Sequence, residues 1–172
     1  MQGFRNRRKY RRFIGNALIK VKMNYFLDSN IILLAVRNEA FRNWLNQHYL
    51  SKGQNSIISV ISIGELRSLA IRNAWGEAKW LKMREIIATF LIADIHSEDV
   101  IQRYAEIDAF SQGKLPNQKG AFSAKNMGKN DLWIAATASV LSATLLTTDK
   151  DFDHLQNQFL KVESIDYRKM KL

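Results

Sequence analysis

Apolar residues along this chain fall into two patterns that take turns. Asn24 to Leu27, Ser56 to Ser59, Thr144 to Thr148 and Lys161 to Ile165 are short apolar or β-branched runs, as strands covered on both faces tend to be. Between them, apolar positions recur at helical spacing. Phe41, Trp44, Leu45 and Tyr49 make one such face, and Trp80, Met83, Ile87 and Phe90 another. Val100, Ile101, Tyr104 and Ile107 follow a Ser97-Glu98-Asp99 start, while Ile134, Ala135, Ala138 and Leu141 follow Asn130-Asp131, placed as an N-cap and first turn. The pattern also predicts a short helix through Val36, one over Phe41 to Leu50, one over Val60 to Ile71 and one over Glu77 to Leu91. Leu91 to Ile95 reads either as a further strand or as an extension of the helix before it. Repeated strand-helix-strand order predicts an α/β domain with a mostly parallel sheet, right-handed crossovers and helices on both faces.

Composition narrows this picture. A chain of 172 residues with 47% apolar and 24% charged residues is most simply one domain with a sizeable core. No apolar run reaches the ~18–20 residues of a membrane span. The absence of cysteine removes disulfides, thiolate metal sites and thiol nucleophiles together, which fits a cytoplasmic location. The net charge of +10 is unevenly placed: residues 1–22 carry eight basic residues and no acid, leaving 18 basic against 16 acidic residues for 23–172. The body is therefore almost neutral, and the division expected is a basic extension over 1–22 and one folded domain over 23–172. Gly15, Asn16 and Lys20 interrupt the only apolar stretch of the extension, so it has no signal-peptide core. A disordered arm for nucleic acid, a membrane-surface segment and a non-native extension all fit it.

Gln112 to Met127 is the one long irregular stretch and holds the only proline, Pro116. Lys114, Lys119, Lys125 and Lys129 lie in or just after it with no acid between them. They are candidates for holding RNA phosphates, against the plain alternative of a solvated loop. Trp75, in an expected loop, is a weaker candidate for stacking a base. Asp149, Asp151 and Asp153 imitate the start of a calcium loop, but His154 and Leu160 stand where glycine and glutamate are needed. His48, His96 and His154 share no ligand spacing and read as surface or helix-end residues.

Asp28, Glu65, Asp131 and Asp149 fall where strands hand over to helices. Each has an ordinary explanation. Asp28 suits a helix cap, Ser62 and Glu65 match a capping box, Asp131 suits a helix N-terminus, and Asp149 suits a turn. Together they mean more. On parallel neighbouring strands all four converge on one sheet edge, the edge where open α/β sheets bind ligands. Carboxylates ~5 Å apart repel by ~3 kcal/mol per pair at an effective dielectric of ~20, so such a cluster calls for a bound cation. Oxygen-only donors suit Mg²⁺ or Mn²⁺, ions that clamp phosphates and activate water.

The same residues carry a family resemblance. Leu27-Asp28-Ser29-Asn30-Ile31-Ile32, Ser62-Ile63-Gly64-Glu65-Leu66, Asn130-Asp131-Leu132-Trp133-Ile134-Ala135-Ala136-Thr137-Ala138 and Leu146-Thr147-Thr148-Asp149-Lys150-Asp151-Phe152 resemble the four acidic motifs of the PIN domain, and most of all the VapC-type toxin ribonucleases. The resemblance runs from about Met23 to Ile165. It implies a three-layer α/β/α sandwich and a metal-dependent endoribonuclease with water as nucleophile. Asp28, Glu65, Asp131 and Asp149 would hold Mg²⁺ or Mn²⁺, with Ser29, Asn30 and Thr148 orienting them through hydrogen bonds. It further implies a small cognate antitoxin and a homodimer. A housekeeping nuclease of RNA maturation and a non-catalytic RNA-binding module are the alternatives. The full acid set argues against the latter.

The uneven charge generates a test. A chain starting at Met23 is expected to fold and to keep metal-dependent cleavage, while binding RNA less tightly at low salt. Circular dichroism and a cleavage assay across salt concentrations check this. An unfolded truncated chain would place residues 1–22 inside the domain.

Overall fold

The computed structural model describes residues 24–50, 54–116 and 123–169. The basic stretch 1–22 and Lys119 lie outside the described residues. Five strands, β1 (Asn24–Leu27), β2 (Asn55–Ser59), β3 (Leu91–Ala93), β4 (Thr144–Thr147) and β5 (Lys161–Ser164), form one sheet in the order β3-β2-β1-β4-β5. Every pairing is parallel, with Phe26 opposite Ile57 and Leu27 opposite Leu146. The chain builds outward from β1 in one direction, then crosses back to lay β4 against the other side of β1. That reversal is the switch point of a doubly wound sheet.

Alternation along the strands splits the core into two layers. Tyr25, Leu27, Ile58 and Leu146 pack on one face of the sheet, and Phe26, Ile57 and Leu145 on the other. The first face is covered by α1 (Ser29–Arg37), α2 (Glu39–His48), α3 (Val60–Arg72) and α4 (Glu77–Ile87), through residues such as Ile31, Phe41, Leu66 and Met83. The second is covered by α5 (Glu98–Ser111) and α6 (Lys129–Val140), through Ile107, Phe110, Leu132 and Ile134. The result is the expected three-layer α/β/α sandwich. Within α6, Ile134, Ala135, Ala136 and Ala138 are fully buried, so this helix runs through the interior rather than over it. Among the described residues no helix is long and apolar enough to cross a membrane.

Several local expectations shift. The second helix begins at Glu39, before Phe41, because the Asn38 side chain accepts a hydrogen bond from the Phe41 amide at 3.0 Å and caps it. The helix from Glu77 stops at Ile87, and Leu91–Ala93 is a strand; Thr89 donates its hydroxyl to the Ile86 carbonyl at 2.7 Å where the helix ends. Trp75 is buried, with the Lys79 ammonium 3.9 Å from its ring centroid, so it is core and not a base platform. His154 is a helix-end residue, in the last turn of the 3-10 helix Lys150–Leu155. It is half-buried, hydrogen-bonds Ser111 Oγ at 2.7 Å and stacks on Phe110.

The α3 cap gives a measurable consequence. Buried Ser59 ends β2 and accepts a hydrogen bond from the Ile61 amide at 3.1 Å. Ser59→Ala should lower unfolding free energy by about 1 kcal/mol, read from the midpoint of a denaturant titration.

Candidate functional site

The switch point brings the four acids to one edge. Asp28 directly follows β1, and Asp149 lies just beyond β4, its neighbour in the sheet. Glu65 is on α3, which leaves β2 at this same edge. Asp131 is in the first turn of α6, the helix that leads back into β4 and therefore starts here. Mutual electrostatic effects confirm the grouping: Asp28, Glu65, Asp149 and Asp151 all act on Asp131.

Asp28 is the buried member, only 3% exposed. It sits at the N-cap of α1, but its carboxylate does not cap the helix. Instead it accepts a 2.8 Å hydrogen bond from Thr147 Oγ1 and a long one, 3.4 Å, from Asn30 Nδ2. Thr147 Oγ1 in turn accepts from the Asp149 amide at 2.9 Å. One hydroxyl thus joins two of the acids across the β1–β4 pair. This corrects the sequence expectation of Thr148. Because side chains alternate along a strand, Thr147 shares the face of Leu145 and meets Asp28, whereas Thr148 lies in the bend just past β4.

Glu65 is held by Ser29 Oγ on one oxygen and by Asn130 Nδ2 at 2.8 Å on the other. The capping-box explanation fails, since the cap of α3 is Ser59 and Ser62 Oγ is buried without a partner. Asn130 is not a cap either. The N-cap of α6 is Gly128, and Asn130 lies inside the helix with its side chain turned to Glu65. Gly128 has a second role. A Cβ there would sit 2.7 Å from Asp131 Oδ2, so any larger residue would make this carboxylate turn from its present position. The backbone at Gly128 is ordinary (φ −58°), so the constraint is space rather than conformation. Asp149 caps the 3-10 turn Lys150–Leu155, accepting from the Asp151 amide at 2.9 Å. Asp151, not Asp153, joins the electrostatic cluster around Asp131.

Burial pushes the Asp28 carboxyl up to about 6, its hydrogen bonds from Thr147 and the Ser29 amide pulling back while Glu65 and Asp149 add to the rise. Burial also lifts Asp131, to about 7, with Asp28, Glu65, Asp149 and Asp151 all adding repulsion. Among the described residues none of the four acids is ion-paired with a lysine, arginine or histidine. Nor does any group of three acids or histidines stand at ligating distance among them. The two facts agree. Coulomb coupling reaches further than a metal–oxygen bond, and uncompensated like charges stand apart, Glu65 drawn aside by Ser29 and Asn130. The donor set is all oxygen, negatively charged and lacking a protein counter-cation. Such a set fits a hard divalent ion once the side chains turn inward.

Of the lysines, Lys114 and Lys129 are exposed and Lys125 half-exposed. Lys114 donates to Gln112 at 3.2 Å, and the Lys125 amide anchors to the Ser111 carbonyl at 2.7 Å.

The raised carboxyls fix a pH dependence. Ordinary unfolded values are near 3.8, so between about 4 and 7 the folded chain holds protons that the unfolded chain has released. This contribution is fully present below the unfolded value and is lost as pH rises through about 6 to 7. His154, whose pKa is lowered by burial, works in the opposite direction below its ordinary value. Thr147→Val removes the hydrogen bond that favours ionised Asp28, and should cost on the order of 1–3 kcal/mol at neutral pH and less at pH near 4. Metal-free melts of parent and variant across this range check the difference.

Comparison with known proteins agrees with this geometry. The chain is 28% identical over 140 residues to Ribonuclease VapC2 of Rickettsia felis, covering 81% of this chain and 97% of that protein. The structure of VapBC2 from Rickettsia felis bound to a promoter DNA fragment superposes with a TM-score of 0.67 at 26% identity, over 83% of this chain and 98% of that one. FitAcB from Neisseria gonorrhoeae does so with a TM-score of 0.59 at 26% identity, over 80% of this chain and 95% of that one. The PIN domain profile matches residues 25–158, a span that holds all four acids. With its parallel sheet, its acids at the switch point and this match over most of its length, the chain belongs to the PIN domain family.

Proposed function

We propose that the protein is a Mg²⁺- or Mn²⁺-dependent endoribonuclease that hydrolyses RNA phosphodiester bonds, and the toxin of a toxin-antitoxin pair. The observation that carries the reading is the convergence of Asp28, Glu65, Asp131 and Asp149 with no cation ion-paired to them among the described residues. Similarity to Ribonuclease VapC2 supports the substrate class, and the VapBC and FitAcB likenesses support a small cognate antitoxin as partner. Assembly as a homodimer is part of the same proposal.

In this reading Asp28, Glu65, Asp131 and Asp149 hold the ion. When bound, it neutralises the phosphate and lowers the pKa of a water that acts as nucleophile. Thr147 fixes the rotamer of Asp28 and the approach of the Asp149 backbone, so two ligands are set by one hydroxyl. Ser29 and Asn130 hold the Glu65 carboxylate by one hydrogen bond on each oxygen. Asp131, with its proton affinity raised to about 7, gives up a proton when the ion arrives. Metal affinity should therefore increase from pH 6 to 8. Lys114, Lys125 and Lys129, with Lys119 beyond the described residues, are proposed to draw the RNA backbone toward α6.

Asp131→Asn tests the site. Cleavage of RNA should fall by orders of magnitude. Without metal, the variant should melt no lower than the parent, because a repelled carboxyl has been neutralised. Adding Mg²⁺ or Mn²⁺ should raise the parent's melting temperature and the variant's much less. If Asp131 served only the helix N-terminus, the variant would instead lose ~0.3–1 kcal/mol and keep its activity. Undiminished cleavage would remove Asp131 from the site.

A further inference from the structure

A groove of about 460 Å³ opens directly beside the acidic edge. Its α3 lining runs from Val60 and Ile61 through Gly64, Glu65 and Ser68 to Arg72, and Asn130 of α6 lies beside Glu65. Glu65 and Arg72 are seven residues apart on α3. That is two helical turns, so they share a face and lie ~10 Å apart along the axis.

Three features separate this groove from an ordinary crease between helices. It is continuous with the proposed site, since Glu65 and its partner Asn130 belong to both. Along α3 it passes from an apolar end at Val60 and Ile61, past the Glu65 carboxylate, to the Arg72 guanidinium, and Arg72 is exposed and has no ion-pair partner among the described residues. It is also lined by Gly64, an exposed residue inside a helix, where glycine is the least favourable choice after proline. A Cβ at Gly64 would meet nothing within 4 Å, so neither packing nor backbone geometry accounts for the glycine.

We infer that this groove seats single-stranded RNA leading away from the scissile phosphate, with Arg72 as the positioning residue that holds a backbone phosphate further along the strand. The inference rests on the nuclease reading above. A guanidinium offers a planar fork that matches phosphate oxygens. At ~10 Å from Glu65 along the helix, it is too far to share the scissile phosphate with the acids but within reach of another phosphate on the same strand. On the other side of Glu65 from Arg72, Val60 and Ile61 offer an apolar surface against which an unstacked base of the same strand can lie. A duplex, with its bases covered, cannot use that surface, so the seat favours a single strand.

Arg72 also ends α3, where any cation is favourable, so the test must separate a phosphate contact from a helix-end role. Binding of a fluorescein-labelled single-stranded RNA oligonucleotide is measured by anisotropy in the Asp131→Asn chain, so that cleavage does not intervene, over a range of salt concentrations. Arg72→Gln should weaken binding by about 3- to 10-fold at low salt and reduce the salt slope by about 0.7, the value for one phosphate contact on a single strand. Arg72→Lys should restore most of the slope. Arg67→Gln makes the same charge change on the same helix at an exposed residue that does not line the groove, and should shift affinity by less than about twofold. Gly64→Leu, which keeps every charge and favours the helix, should weaken binding without lowering the melting temperature. Equal effects of Arg67→Gln and Arg72→Gln would overturn the seat, leaving only general electrostatic attraction. Unchanged RNA affinity in both Arg72→Gln and Gly64→Leu would also overturn it and assign the groove to a protein partner. Metal-dependent cleavage by the parent is scored separately. A parent that cuts RNA while Arg72→Gln binds normally rejects the groove alone, whereas a parent that neither binds nor cuts rejects the nuclease reading.

Discussion

The organisation of this protein depends on one buried contact, the hydrogen bond from Thr147 to Asp28 across the β1–β4 pair. A carboxylate that is 3% exposed is costly to ionise, and its rise to about 6 measures that cost. Asp28 sits where two parallel strands, neighbours in space but distant in sequence, open at the switch point of the sheet. The Asp28 amide bonds the Leu146 carbonyl at 3.0 Å, extending the ladder one step past β1. Backbone and side chain of one residue therefore lock β1 to β4. The remaining acids are placed around this lock by the helices that start or leave at the same edge.

Neutral donors, not cations, hold the acids. Ser29, Asn30, Asn130 and Thr147 orient the carboxylates while leaving their charge uncancelled. The distinction matters chemically. An arginine or lysine in the cluster would lower the carboxyl pKa values and compete with a metal for the same oxygens. Hydroxyls and amides fix geometry and preserve the negative field. The cost appears as raised proton affinity at Asp28 and Asp131. Stability and proposed activity thus pull in opposite directions at this edge, as they do wherever like charges are gathered for function.

The sheet order was legible in outline because each strand carries its own short apolar signature and each covering helix its own periodicity. The acids were legible for a related reason. In a parallel sheet every strand points its carboxyl end to the same edge, so an acid just after a strand is placed before any contact is known. Asp28 and Asp149 follow directly. Asp131 follows once α6 is seen to precede β4, and Glu65 once α3 is seen to leave β2. What misled was local grammar. Ser62 and Glu65 match a capping box and Asn130 matches an N-cap, yet the helices start at Val60 and Lys129, with Ser59 and Gly128 as their caps. Trp75 lies in a loop as read, but contacts with distant segments bury it and remove it as a base platform.

The sequence by itself therefore determined the fold class and the sheet edge at which the four acids gather, since both follow from periodicity and from the direction of parallel strands. Only the tertiary structure decided how the acids are held. The choice of Thr147 over Thr148 turns on which face of β4 meets Asp28, a matter of register between segments more than a hundred residues apart. The pairing of Asn130 with Glu65 joins two helices that share no local pattern, and the crowding at Gly128 arises from the space Asp131 occupies. The groove that ends at Arg72 likewise exists only because α6 is packed beside α3. Such contacts leave no period in the chain, because they arise where separate elements meet rather than within any one of them.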